Sequence, residues 1–222
     1  TFYVFESGAG VTLRAADGGG QTGASAPLDV IQPLYTMLAC HDLGWQSGDL
    51  GGNITTNFPV GIRTFYLRNQ PTGQSLPALA RMDASGTTVL PYGATVPIPV
   101  GSDAYQAFNG KVSCNNYAYW QGGTIALHFS NLSATGAYQF VLFGSRGSAS
   151  EKYSNRWVDV VLSDVAGFVN TSSSGAGVTR FDVGGTNAGT RLIGANLDGW
   201  VVRYDVIRPG PDGDIHLALT AG

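Results

Sequence analysis

Six consecutive residues, Asn115-Asn116-Tyr117-Ala118-Tyr119-Trp120, carry the two side-chain types a sugar site needs. Aromatic rings stack on the apolar faces of sugars, and amides hydrogen-bond their hydroxyls. Asn115, Asn116, Tyr117, Tyr119 and Trp120 are therefore candidate ligand-binding residues, with Trp45 and Trp157 as further rings if the fold brings them near. The alternative is that Tyr117, Tyr119 and Trp120 serve as rim or core packing. Arg146 follows a strand end and a glycine in Phe143-Gly144-Ser145-Arg146, where it reads as a cation over a ligand or a carboxylate clamp. Its alternative role is to hold its loop by pairing with an acid such as Asp159 or Glu151.

The remaining reactive residues form weaker patterns. His41 stands beside Asp42, with Ser47 near in sequence, but no G-x-S-x-G elbow supports a hydrolase. His128 and His216 fall on the polar faces of expected strands and read as surface histidines, not as a triad or metal site. Asp212-Gly213-Asp214 lacks the ligand spacing of an EF-hand and reads as a hairpin turn. A calcium site assembled from distant loops is the alternative there. Gly184-Gly185-Thr186-Asn187-Ala188-Gly189 does not lead from a strand into a helix, as a phosphate loop must, and reads as a loop. Asn53, Asn131 and Asn170 each begin an N-x-S/T triplet, which chance explains in a chain this rich in Ser and Thr. Cys40 and Cys114 lie outside any metal-ligand spacing. They are expected to be free and buried, with a single disulfide as the alternative. No catalytic residue, metal or cofactor is expected.

The elements that must position these residues are strands. The chain has 222 residues, enough for one large β domain or two small ones. Charged residues make up 12%, about half the usual share, while there are 32 glycines and 11% aromatic residues. Such a composition suits a β-sandwich with many tight turns. It also suits a surface that packs against neighbours or offers rings to sugars. The net charge of −3, with arginines scattered and lysine nearly absent, argues against nucleic acid. No apolar run approaches the roughly 18–20 residues of a membrane-spanning helix. The chain opens Thr-Phe-Tyr-Val, already strand-like. Either a signal peptide has been removed, or an initiator Met was cleaved before Thr1.

Residues 1–16 read as paired strands, 17–27 as a Gly-rich loop, and 32–42 as the one helix, with Pro33 in its first turn. Strands are expected over 63–68, 78–82, 87–90 and 95–100, the last an edge strand because of its prolines. The second half is more regular, with strands over 124–129, 138–143, 156–162, 178–183, 200–207 and 215–219. The turn Gly210-Pro211-Asp212-Gly213 is hairpin chemistry before the last of them. No linker divides the chain, so 1–222 is expected to be one all-β antiparallel sandwich, with an irregular, loop-rich part over 1–102.

The stretch Phe129–Arg146 joins two apolar strands through a polar turn and ends in Phe-Gly-Ser-Arg. Together with Asp103–Phe108 and the closing Pro209…Asp212-Gly213-Asp214-Ile215, it resembles the galactose-binding-like jelly-roll domains of secreted bacterial polysaccharide-acting proteins and bacteriophage virion proteins. The resemblance covers about 103–222, with Phe5–Gly8 as a match for an opening strand. It departs from the family at the looser Arg156–Val161 and the Ser-rich 171–174 that follows. It implies a jelly-roll fold and a surface role. The chain is expected to be a non-catalytic component of a virion surface, a decoration, spike or fibre. Its partners would be other virion subunits or copies of itself, and host glycans. The alternative is a carbohydrate-binding module of a secreted, extracellular polysaccharide-degrading system.

Overall fold

Alternation of apolar and polar residues makes antiparallel strands the dominant regular structure among the described residues, with almost no helix. The structure, a computed structural model, describes residues 8–11, 14–16, 22–24, 28–30, 39–41, 63–69, 74–87, 89–93, 97–112, 114, 116–146 and 155–222. The chain divides into two units, Thr1–Leu34 and Tyr35–Gly222. In the first, β1 (Gly8–Val11) pairs with β4 (Leu28–Val30), and β2 (Arg14–Ala16) with β3 (Thr22–Ala24). The strand β3 lies inside the segment expected to be a Gly-rich loop.

The second unit holds β5 (Arg63–Arg68), β6 (Ser75–Ser85), β7 (Leu90–Gly93), α1 (Asp103–Phe108), β8 (Asn116–Tyr119), β9 (Thr124–Ser130), β10 (Tyr138–Leu142), β11 (Trp157–Ser163), β12 (Val165–Asn170), β13 (Val178–Val183), β14 (Thr186–Ile193), β15 (Val202–Pro209) and β16 (Ile215–Ala221). Seven strands form one sheet in the order β13-β14-β11-β16-β9-β6-β5, and three form a second in the order β10-β15-β12. From β9 onward the chain passes back and forth between these sheets. Consecutive strands are therefore often in opposite layers. The turn 210–213 is a case: β15 pairs with β10 and β12, whereas β16 pairs with β9 and β11. It is a crossover between sheets and not the expected hairpin.

Each sheet turns an apolar face inward. On β9 and β16 the register sets Ile125 opposite Leu219 and Leu127 opposite Leu217, all buried. Val160 and Leu162 of β11, Leu192 of β14 and Met82 of β6 extend this face, and Val202, Tyr204 and Ile207 of β15 meet it from the other sheet. Tyr204 and Ile207 both point inward although three residues apart, because the pairing with β10 shifts register between them. Val206, in that shift, has φ +51°, a conformation unusual for a β-branched residue and characteristic of a bulge that re-aims the strand.

The buried polar groups are tied to strands. The Tyr204 hydroxyl lies 2.8 Å from the Ala188 carbonyl and 3.0 Å from that of Val160, so one proton is shared between two strands of the facing sheet. Burial pushes this phenol up to about 12. Ser172 and Ser173 of the Ser-rich segment 171–174 are also inside: Ser172 is 1% exposed, and its Oγ accepts from the Arg203 N–H and meets Thr190 Oγ1 at 3.1 Å. Thr171 and Ser173 donate their N–H groups to the Arg203 and Val201 carbonyls, continuing the pairing of β12 with β15. The Ser173 hydroxyl donates to the Asp103 carboxylate and so fastens α1 to this seam.

Several sequence expectations differ from what forms. Of the helix expected over 32–42, the described part is 39–41, where Ala39 bridges Asn69 in strand fashion. The helix that does form is α1, started by Ser102, whose Oγ accepts from the Tyr105 N–H. The expected strand over 87–90 lies later, at β7, and residues 97–99 are irregular. Gly184 and Gly185, expected within a loop, have φ +60° and +82° and make the two-residue turn joining β13 to β14.

Tyr204→Phe keeps the ring and removes the hydroxyl. It should lower unfolding free energy by about 1–2 kcal/mol, read as a drop in urea midpoint with unchanged slope. An unchanged midpoint would mean that the hydroxyl does not hold the sheets together.

Candidate functional site

Two constellations of functional side chains lie in the second unit. The first contains the expected ligand-binding residues. Asn115 lies outside the described residues, and Asn116 opens β8, which pairs with β7 so that Tyr117 faces Tyr92. Strand alternation puts Tyr117 and Tyr119 on one side of β8, and Ala118 and Trp120 on the other. Ala118 and Trp120 pack against the main core. The Trp120 indole nitrogen is buried and has no hydrogen-bond partner among the described residues. Tyr117 is 9% exposed, and the Arg146 guanidinium sits 5.3 Å from its ring centroid. Arg146 is thus a cation over a ring of its own chain, with its N–H donated to the Gly194 carbonyl at 2.8 Å. Tyr119 is half-buried.

Asp159, one of the acids weighed as an alternative partner of Arg146, receives two hydrogen bonds of 2.7 Å from Arg191. Arg191 also lies over the Trp157 ring at 4.6 Å. Glu151 and Trp45 are outside the described residues.

The second constellation is one that sequence reasoning missed. His128 on β9 and His216 on β16 are direct cross-strand partners. Both leave the outer face of the seven-stranded sheet, and their ring centroids are 3.9 Å apart in an edge-to-face arrangement. His128 Nε2 lies 2.7 Å from Asp214 Oδ2. Asp164, in the β11–β12 crossover, brings its Oδ2 to 3.4 Å from His216 Nε2. The contact does not make a hydrogen bond, and this nitrogen is shielded from water without one.

The crossovers hold the carboxylates in place. The Gly210 N–H is shared between the Asp164 carbonyl at 3.2 Å and the Asp214 carbonyl at 3.1 Å. Asp212 Oδ1 accepts from the Asp214 N–H at 3.1 Å. A side chain at Gly210 would run into the Asp164 carboxylate, at 2.9 Å from its Oδ1, so only glycine lets the two turns approach this closely. His128, Asp214 and His216 each offer one donor atom, all within 4.8 Å of one another. The sequence signal was Asp214-x-His216, two residues that share one side of an extended chain.

The other candidates stand apart. His41 Nε2 accepts from the Arg68 N–H at 3.4 Å, while Asp42 and Ser47 lie outside the described residues. Cys40 and Cys114 are not joined in a disulfide, Cys40 being buried and Cys114 half-buried, and burial pushes the Cys40 thiol up. Asn170 is 8% exposed with its amide directed to Asn187 O, Gly189 O and Thr190 Oγ1. Its side chain is structural in the folded protein.

Comparison with protein-family models, with curated proteins and with solved structures gives no match.

Burial lowers His41 to about 4, and the nearby Arg68 cation adds to the shift. The folded chain therefore keeps this imidazole neutral where the unfolded chain, titrating at 6.5, takes up a proton. Its contribution is present above pH 6.5 and is lost as the pH falls towards 4. Between pH 7 and pH 4.5 the native chain should lose on the order of 1–3 kcal/mol more stability than His41→Gln, measured by urea unfolding. Equal losses would remove His41 as the cause.

Proposed function

We propose that this chain is a non-catalytic sandwich of the jelly-roll, galactose-binding-like type. It serves as a structural surface component of a bacteriophage-type particle, working by packing against other subunits or copies of itself. The observation that supports this reading best is the use made of the aromatic segment at 116–120. Tyr117 is buried beneath Arg146, and Trp120 is built into the core. Rings spent this way hold the domain together and have little free face for a sugar. Some of the scarce charges pair within the chain, as Arg191–Asp159 and Arg81–Asp83 do. The outside also carries large apolar residues: Tyr66, Val100 and Val169 are 56%, 84% and 52% exposed.

The second reading is a carbohydrate-binding module of a secreted polysaccharide-degrading system. It is favoured by one observation: Tyr119 shares its side of β8 with Tyr117, against which Arg146 stacks. A half-buried ring beside a cation is a workable sugar platform.

A glycan-panel titration read by tryptophan fluorescence separates the two. The packing role expects no saturable response in the native chain or in Tyr119→Ala. Saturable binding that Tyr119→Ala weakens more than tenfold would overturn it in favour of the module. For the particle role itself, density-purified particles from the source cells should contain the chain by mass spectrometry. Its recovery only as free secreted protein would overturn that role.

A further inference from the structure

We propose that His128, Asp214 and His216 form a zinc site that clamps the two sheet crossovers onto the centre of the seven-stranded sheet. Two imidazoles and a carboxylate are a donor set that zinc accepts and that calcium or magnesium, which prefer oxygen, do not. A tetrahedral zinc with bonds of about 2.0–2.1 Å holds its ligand atoms roughly 3.3 Å apart. The three donors here all lie within 4.8 Å of one another, and His128 Nε2 is 2.7 Å from Asp214 Oδ2, so small side-chain adjustments reach that spacing. Binding replaces the hydrogen bond between His128 and Asp214 with two metal bonds.

Three features go beyond what a surface ion pair needs. The first is placement: both histidines stand on one cross-strand rung of β9 and β16, which fixes their separation. The second is the state of His216, whose Nε2 is shielded from water and has no hydrogen bond, a cost that coordination would remove. The third is support around the ligands. Asp214 is oriented by Asp212, and Asp164 places a second carboxylate beside His216. Two carboxylates beside two imidazoles make a donor set suited to a divalent cation. Asp164 lies 3.4 Å from the same His216 nitrogen that would take the metal, so it adds an oxygen beside the metal position. The ligands come from three segments, β9, the end of the β15–β16 crossover and β16 itself, and Asp164 brings in the β11–β12 crossover.

The test uses the whole chain, stripped with EDTA and titrated with zinc chloride in a calorimeter at neutral pH. One equivalent should bind, with a rise in melting temperature that grows with zinc concentration. Cobalt(II) should give the visible absorption of a four-coordinate ion. His128→Gln and His216→Gln should each weaken binding more than about 100-fold. His41→Gln should leave binding unchanged. Circular dichroism and the urea midpoint in EDTA check that each variant folds. Less than a tenth of an equivalent bound by the native chain would overturn the site. So would full binding by the folded double variant H128Q/H216Q. The cobalt spectrum of the native chain carries the test if that variant does not fold.

Discussion

A single phenol, buried where two sheets meet, sets how they can be stacked. The Tyr204 hydroxyl has no water to turn to, so β15 must lie where the proton reaches carbonyls of β11 and β14. Apolar packing alone tolerates sliding by a residue; a directional bond in a dry layer does not. The bulge at Val206 is part of the same constraint. It lets Ile207 follow Tyr204 into the interior, which strict alternation would forbid. Small residues opposite make room: Ala188 and Thr190 line the inner side of β14 beneath the tyrosine.

The seam of Asn170, Ser172, Ser173 and Thr190 extends this logic along the edge of the sandwich. Each of these groups is buried and each is bonded, so the network fixes position without leaving an orphaned donor. Through Asp103 it also holds α1. The opposite end of the β15 layer is fixed differently, by two turns gathered around Gly210 and by the histidine rung beside them. The unit is therefore pinned by polar contacts at both ends of an apolar middle.

Where both inner and outer residues alternate cleanly, as in Thr124–Ser130 and Ile215–Ala221, the strands were readable from sequence. Strand β14 was not, because its inner positions hold Ala188 and Thr190 in place of large apolar residues, and Gly189 is covered by the Phe181 ring. Strand β12 was hidden by Gly167, and the serines after it were hidden by their polarity, although partners from β14 and β15 make them core residues. The aromatic segment was legible in its chemistry but not in its orientation, since the position of Arg146 over Tyr117 depends on long-range packing. The histidine pair was legible only as two outward residues. That they face each other is set by the β9–β16 register. That Asp164 joins them depends on two crossovers meeting, and neither fact has a local signature.

Strand β16 lies in the middle of the seven-stranded sheet, between β9 and β11, yet it is the last strand of the unit to be made. During synthesis, β5, β6 and β9 can join on one side, and β11, β13 and β14 on the other. The two halves have no direct pairing until residues 215–221 leave the ribosome. Until then β9 and β11 each present an unpaired apolar edge, the kind that recruits strands from other chains. The sheet is thus completed by a contact of long sequence separation, a topology that folds slowly. A nascent unit of this fold depends on being kept from its neighbours until β16 arrives.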